Sequence, residues 1–296
     1  MKMPGQNSKM APAALIEPLG ESAPVARELA ERHCDRSNAE SSCLLYHSVW
    51  QYFRLIKLIS TISADDDFLL DALANLAATG RFDRVLISGS ADYGMLARVI
   101  HAYRMVGREP QVTLVDICRT PLELNSWLAR REGARLETVR SDILGFASQQ
   151  PFDLICTHSF IGRFYGRRAE LLKAWHGLLR PGGQIVTTTR IRPDITDVAR
   201  FSPTEIETFA DRALELANGC TELETVQPAT VAEWAREYAQ TKFNYPLRSS
   251  EELTDAFAHA GLQVTTLDRV CGQSDKPSGP SRGIRSERIR LIAGRP

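Results

Sequence analysis

Three small residues pose the first chemical question. In RVLISGSADYG (residues 84–94), Gly89, Ala91 and Gly94 follow an apolar run at the spacing G-x-A-x-x-G. That is one substitution from the fingerprint with which a strand–turn–helix cradles a nucleotide. Gly89 permits the tight turn, and a helix opening at Tyr93 is expected to present unpaired N–H groups to a ligand. Asp116 ends the next apolar run, about 20 residues on, where an acid can accept hydrogen bonds from both ribose hydroxyls. Asp142 closes a third run, VRSD, where a carboxylate could meet an adenine amino group. His158 follows a fourth, FDLICTH. An imidazole with an ordinary pKa of about 6.5 suits proton transfer near neutrality, so His158 is the candidate base. Thr157, Ser159 and Arg163 lie beside it as candidate binding groups.

These residues need a sheet to bring them together. From residue 84 the pattern alternates: RVLISG, QVTLVD, RLETVRSD, FDLICTHS and GQIVTTTRI read as strands, mostly separated by helical segments. Such alternation implies right-handed crossovers and a parallel sheet, and the near-continuous apolar strands suit burial on both faces. The last two strands, LQVTTLDRV and RIRLIAG, are joined by the polar stretch GQSDKPSGPSRG, expected to be mobile, and should pair antiparallel. The first 25 residues read as a mobile tail. Residues 26–80 read as a helical cap, with Leu45, Val49, Tyr52, Phe53 and Ile56 on one broad face. Residues 81–296 form the nucleotide-binding domain, interrupted at about 193–247 by a helical insertion. The cap and insertion carry Tyr46, Trp50, Tyr52, Trp234, Tyr238, Phe243 and Tyr245, rings that could wall a small acceptor or simply fill a core.

Composition bounds the partners. In 296 residues, 36 basic side chains balance 36 acidic ones, which gives no electrostatic case for nucleic acid or a membrane surface. A small-molecule substrate is expected instead, and an apolar helix among the additions could make a homodimer interface. No apolar run is long enough to span a membrane and no signal-peptide core stands out, so a cytoplasmic location is expected. The six cysteines (Cys34, Cys43, Cys118, Cys156, Cys220 and Cys271) are scattered, without CxxC or Cys/His spacing. No metal site is expected from that spacing, and Cys118 and Cys156 read as small buried hydrophobes.

Two cofactor classes compete for the glycine turn, nicotinamide dinucleotides and S-adenosylmethionine. Ala91 puts a methyl group where a pyrophosphate wants bare backbone, which disfavours the first. The order of motifs then resembles class I S-adenosylmethionine-dependent methyltransferases from about Phe82 to Gly294. RVLISGSADYG resembles the first motif, VTLVDI the acidic second-strand end, RSDIL the adenine motif and FDLICTHSF the fourth-strand motif. LLRPGGQIV resembles the turn into strand five, and EELTDAFAHAGLQV the passage to strand six. The resemblance implies an α/β Rossmann-like methyltransferase fold. Its sheet has seven mostly parallel strands with an antiparallel last strand, helices on both faces and an N-terminal helical cap. It implies S-adenosyl-L-methionine as cofactor, held by Gly89, Ser90, Ala91, Asp92, Tyr93, Gly94, Asp116, Ile117, Ser141, Asp142, Ile143, Thr157 and His158. Methyl transfer would yield S-adenosyl-L-homocysteine. One departure is that the acid common at the end of strand one is replaced by Ile87; Arg54 is a candidate for the cofactor carboxylate. Tyr46, Trp50, Ser159, Arg163 and Tyr245 are candidate substrate contacts. The expected reaction is in-line methyl transfer to oxygen or nitrogen of a small molecule. Its rivals are cyclisation of the cofactor's aminobutyrate arm to an azetidine amino acid, an NAD(P)-dependent oxidoreductase, and a cofactor-binding protein without catalysis.

Overall fold

The computed structural model describes residues 15, 17–35, 43–223, 226–271 and 286–296. The polar stretch after Cys271 and most of the expected N-terminal tail lie outside the described residues. The chain enters through α1 (Leu19–His33), α2 (Leu44–Leu55), a 3₁₀ turn (Ile62–Asp65) and α3 (Asp66–Ala78). The alternating part follows: β1 (Arg84–Ser88), α4 (Gly94–Met105), β2 (Gln111–Asp116), α5 (Arg119–Glu132), β3 (Leu136–Arg140) and β4 (Phe152–His158). After a second 3₁₀ turn (Ile161–Phe164) come α6 (Arg168–Leu178) and β5 (Leu179–Ile191). The short strands β6 (Ala199–Arg200) and β7 (Phe243–Asn244) bracket α7 (Pro203–Asn218) and α8 (Pro228–Thr241). The chain closes with α9 (Ser250–His259), β8 (Gln263–Cys271) and β9 (Glu287–Gly294).

The main sheet has seven strands in the order β3-β2-β1-β4-β5-β9-β8. Strands β1 to β5 pair in parallel, and β9 runs antiparallel between β5 and β8. The chain therefore builds outward from β1 to β3, returns to β4 and builds the other way. The reversal between β1 and β4 opens a crevice at the carboxyl ends of these two strands.

Both faces of the sheet are covered, as the apolar strands require. Val85 and Ile87 join Leu96, Leu114 and Leu128 in the core beneath α3, α4 and α5, while Leu86 joins Trp175, Leu253 and Phe257 on the opposite face under α6 and α9. Full burial of each such side chain contributes about 2–3 kcal/mol. Trp175 also donates its indole N–H to Ser88 Oγ at 2.9 Å, so the ring fixes the end of β1 without an unpaired polar atom. A third core joins Val49, Phe53 and Leu58 from the α2 region to Phe209, Ala213, Val231, Ala235 and Tyr238 of α7 and α8. Segments distant in sequence thus pack as one helical layer. Among the described residues, no helix is long and apolar enough to cross a membrane.

One boundary departs from expectation. Helix α1 begins at Leu19, inside the stretch read as a tail, and carries Pro24 in its interior. Proline there removes a helical hydrogen bond. The burial of Ser22, Ala23, Ala26 and Ala30 on one face outweighs that local penalty.

Candidate functional site: the carboxyl ends of β1, β2 and β4

The β1–α4 turn is built as the glycine spacing requires. Gly89 adopts φ +71°, and a Cβ placed there would lie 2.2 Å from the Phe160 ring. Only glycine satisfies both the left-handed backbone and that approach. Asp116 fixes the turn from the next strand. Its carboxylate accepts the backbone N–H groups of Ser90 at 2.9 Å and of Cys118 at 2.8 Å. Burial raises the Asp116 pKa, and these two N–H donors partly offset it. The neighbouring Ile117 side chain is 68% exposed, an apolar surface beside a carboxylate. Ser141 donates its backbone N–H to the Asp116 carbonyl at 3.0 Å, bringing the β3 end alongside, and Asp142 lies exposed beyond it.

Asp92 is the hub of the turn. One carboxylate oxygen accepts the Gly94 N–H at 2.6 Å; the other accepts Trp50 Nε1 at 2.8 Å and Arg54 Nη1 at 2.9 Å. The Ser90 hydroxyl bonds the Asp92 carbonyl. Arg54 Nη2 also meets both oxygens of Glu17 at 2.6 Å. Burial works against the Arg54 charge, and Asp92 and Glu17 outweigh it. Arg98 extends the network to Glu17 at 3.1 Å and Asp66 at 2.6 Å. Helix α2 is thereby bolted to the glycine turn by buried charge.

This arrangement corrects several sequence expectations. The helix N-terminus is not wholly open, because Asp92 takes the first helical N–H, that of Gly94. Arg54 is a structural cation between two carboxylates. The Tyr93 ring is fully buried and its hydroxyl bonds Ser22 at 2.8 Å, so its side chain belongs to the core. Ile143 is buried in the core under β4 and β5, and Ile87 is buried in the other core. Thr157 donates its hydroxyl to the Ser88 carbonyl at 2.9 Å, fastening β4 to β1. In each case a side chain on the right element points into the packing beside the crevice.

His158 ends β4, partly buried, with Nε2 3.7 Å from Asp65 Oδ2. Asp65 is itself held by Arg290 Nε at 2.9 Å. Burial lowers the His158 pKa below its ordinary value, and Asp65 works the other way without cancelling it. Its imidazole is therefore neutral at pH 7 and can accept a proton. Ser159 follows with φ +53° and is exposed, as is Arg163.

A second cluster faces this mouth. Tyr46 packs on Trp50, with ring centroids 5.0 Å apart, and the Lys242 ammonium lies 5.5 Å from the Tyr46 ring centre and 5.6 Å from that of Tyr238. Burial, with the charges of Arg163 and Arg192, pushes Lys242 down to about 7. Tyr245 stacks on Tyr165 at 5.2 Å, and the Arg163 guanidinium lies 5.9 Å from the Phe243 ring. Lys242, Arg192 and Phe160 carried no sequence signal: a lysine ending a helix is an ordinary partner for the helix dipole.

Cysteines scattered in sequence meet in space. Cys34, Cys43, His47 and Cys118 converge, with their ligand atoms all within 4.8 Å of one another. Cys118, expected as a small buried hydrophobe, is half-buried at the start of α5. Cys156 is fully buried, as expected.

No family model matches the chain, and no curated protein matches it in sequence. Solved structures resemble it at low identity. An S-adenosylmethionine-dependent methyltransferase from Clostridium acetobutylicum is 13% identical, with 82% of this chain and 95% of that chain covered and a TM-score of 0.48. The N-methyltransferase NodS from Bradyrhizobium japonicum, in complex with S-adenosyl-L-homocysteine, is 14% identical, with 83% and 98% covered and a TM-score of 0.47. The [4+2]-cyclase SpnF is 14% identical, with 76% and 80% covered and a TM-score of 0.47. The fold is carried by the sheet itself: its strand order, with β9 alone reversed between β5 and β8, is that of the Rossmann-like methyltransferase fold.

Proposed function

We infer that the protein binds S-adenosyl-L-methionine in the β1–β4 crevice and transfers its methyl group to oxygen or nitrogen of a small molecule. The observation that carries this reading is the occupant of the α4 N-terminus. A dinucleotide needs that helix end for its pyrophosphate. Here the buried Asp92 carboxylate already takes the Gly94 N–H and is held by Arg54 and Trp50. A pyrophosphate would meet a like charge, whereas a sulfonium amino acid brings positive groups. The remaining parts agree. The Asp116 carboxylate suits a ribose diol, and exposed Ile117 with Asp142 suits an adenine face and its amino group.

The cofactor would supply an activated methyl group. This chain's residues would hold the acceptor in line with it and keep water out. Neutral His158, oriented by Asp65, is the group able to take a proton from the acceptor. The Tyr46–Tyr238 rings and the cations Lys242, Arg163 and Arg192 support an acceptor with an apolar body and an anionic group. The test is incubation of purified protein with S-adenosyl-L-methionine and a panel of aromatic and aliphatic acids, followed by mass spectrometry. The account expects a methylated acid and an equal amount of S-adenosyl-L-homocysteine. Consumption of the cofactor without acceptor, giving methylthioadenosine and an azetidine acid, would replace methyl transfer by cyclisation. The enclosure of the turn by Trp50, Arg54 and Glu17 is the feature that favours this second reading.

A further inference from the structure

Three helix ends meet beside the nucleotide turn, each contributing a metal-binding side chain. Cys34 is the residue at which α1 ends, and Cys43 is the one from which α2 begins. His47 lies in the first turn of α2, and Cys118 precedes α5. The separations in sequence are 13 residues for Cys34–His47, 71 for His47–Cys118 and 84 for Cys34–Cys118. We propose that Cys34, Cys43, His47 and Cys118 bind one zinc ion as a tetrahedral Cys3His site that clips the N-terminal helices to the loop carrying Asp116.

Geometry carries the assignment. Tetrahedral zinc has bonds of about 2.3 Å to sulfur and about 2.0 Å to nitrogen, which sets S···S edges near 3.8 Å and S···N edges near 3.5 Å. Two of the three S···S separations are 3.8 Å for Cys34–Cys118 and 3.6 Å for Cys43–Cys118, and all four ligand atoms lie within 4.8 Å of one another. His47 Nδ1 lies 3.3 Å from Cys34 Sγ and 3.5 Å from Cys118 Sγ. A disulfide would need sulfurs about 2.0 Å apart and would leave a thiol and the imidazole over. A cubic iron–sulfur cluster would hold its thiolates much farther apart. Four protein ligands close the coordination sphere, which marks a structural site rather than one with an open position for a reactant.

The surroundings fit a ligand set. Thr120 Oγ1 lies 3.2 Å from Cys34 Sγ and supports it, as the groups around a metal's ligands commonly do. The Cys118 N–H donates to Asp116 Oδ1 at 2.8 Å, so a metal on Cys118 steadies the same carboxylate that holds the Ser90 N–H. The zinc site does not depend on the methyl-transfer reading, because metal content is measured without any cofactor.

The test uses the full chain, expressed with added zinc and purified without chelator or polyhistidine tag. Elemental analysis should find one zinc per chain, and zinc-edge X-ray absorption should find three sulfurs at about 2.3 Å and one nitrogen at about 2.0 Å. Cobalt(II) added to the chelator-stripped protein should produce the visible bands of a tetrahedral thiolate centre. Cys118→Ser should lower zinc affinity at least tenfold, whereas Cys220→Ser, outside the cluster, should keep one zinc. Should Cys118→Ser fail to fold, His47→Cys provides the second reading: zinc is retained, with four sulfurs in place of three. Folded wild-type protein with neither stoichiometric zinc nor cobalt bands would overturn the proposal. So would full zinc retention in folded Cys118→Ser, or a disulfide among the three cysteines in freshly purified protein.

Discussion

The turns that follow β1 and β4 lie on adjacent strands and are held in opposite ways. After β1, two carboxylates hold the turn: Asp92 binds Gly94, Trp50 and Arg54, and Asp116 binds Ser90 and Cys118. After β4, the neutral His158 imidazole lies 3.7 Å from the Asp65 carboxylate, and Ser159 and Arg163 are exposed. The first turn is preorganised, as a cofactor common to every turnover requires. Under the proposed function, the second leaves its groups free to adapt, as an acceptor that enters and leaves would require. Burial separates the two more sharply than sequence does, since both are short segments with glycine, a charged side chain and a neighbouring aromatic ring.

The largest break in this contrast is expected from Arg54→Met, which leaves the Asp92 carboxylate buried without its cation and Glu17 with Arg98 alone. Removing one partner of a buried pair costs about 3–5 kcal/mol. Urea unfolding should show that loss, and a cost below about 1 kcal/mol would mean that charge does not lock the turn. His158→Gln tests the other side. It should lower kcat about a hundredfold while leaving the affinity for S-adenosyl-L-homocysteine unchanged. The wild-type pH profile belongs with it. Burial lowers the His158 pKa, so the neutral base persists as pH falls through 6.5, and the acid limb of kcat should lie below that ordinary value. The same shift makes the folded state lose stability as pH falls through that window, because the unfolded chain binds the proton more readily.

Gly89→Ala sharpens the comparison within the rigid half. A left-handed alanine costs about 1–2 kcal/mol, and its methyl would overlap the Phe160 ring. Together these should weaken cofactor binding by roughly tenfold to a hundredfold, at about 1.4 kcal/mol per tenfold, measured by calorimetry. The smallest effect is expected at Lys242. Its pKa of about 7 means that the ammonium is charged below neutrality and increasingly neutral above it. For an anionic acceptor, KM should rise as pH climbs through 7. Lys242→Met should raise KM about tenfold near pH 6 and flatten that dependence.

Much of this contrast is legible in the sequence, and what is not has physical causes. The strands announce themselves because burial on both faces makes them continuous apolar runs, and Gly89 because a left-handed turn admits little else. Asp116 follows from its place at a strand end. The sequence misleads where a residue's element is clear but its side-chain direction is not. Tyr93, Ile143 and Thr157 stand beside the crevice and point into the packing. Arg54 looks free until Glu17, remote in sequence, closes on it. The Cys3His cluster is invisible for the same reason: metal motifs are recognised by short spacing, and here α1, α2 and α5 fold their ends together. Helix α1 starts early because the packing of Ala23, Ala26 and Ala30 overrides the local signal of Pro24.

The most direct test of the central claim is titration calorimetry of the full chain with S-adenosyl-L-methionine, S-adenosyl-L-homocysteine and NAD(H). The account predicts that both sulfur nucleosides bind one site per chain, that Asp116→Ala abolishes the binding, and that NAD(H) gives no heat beyond dilution. Binding of NAD(H) alone, or of none of the three, would contradict it and leave the fold without the proposed chemistry.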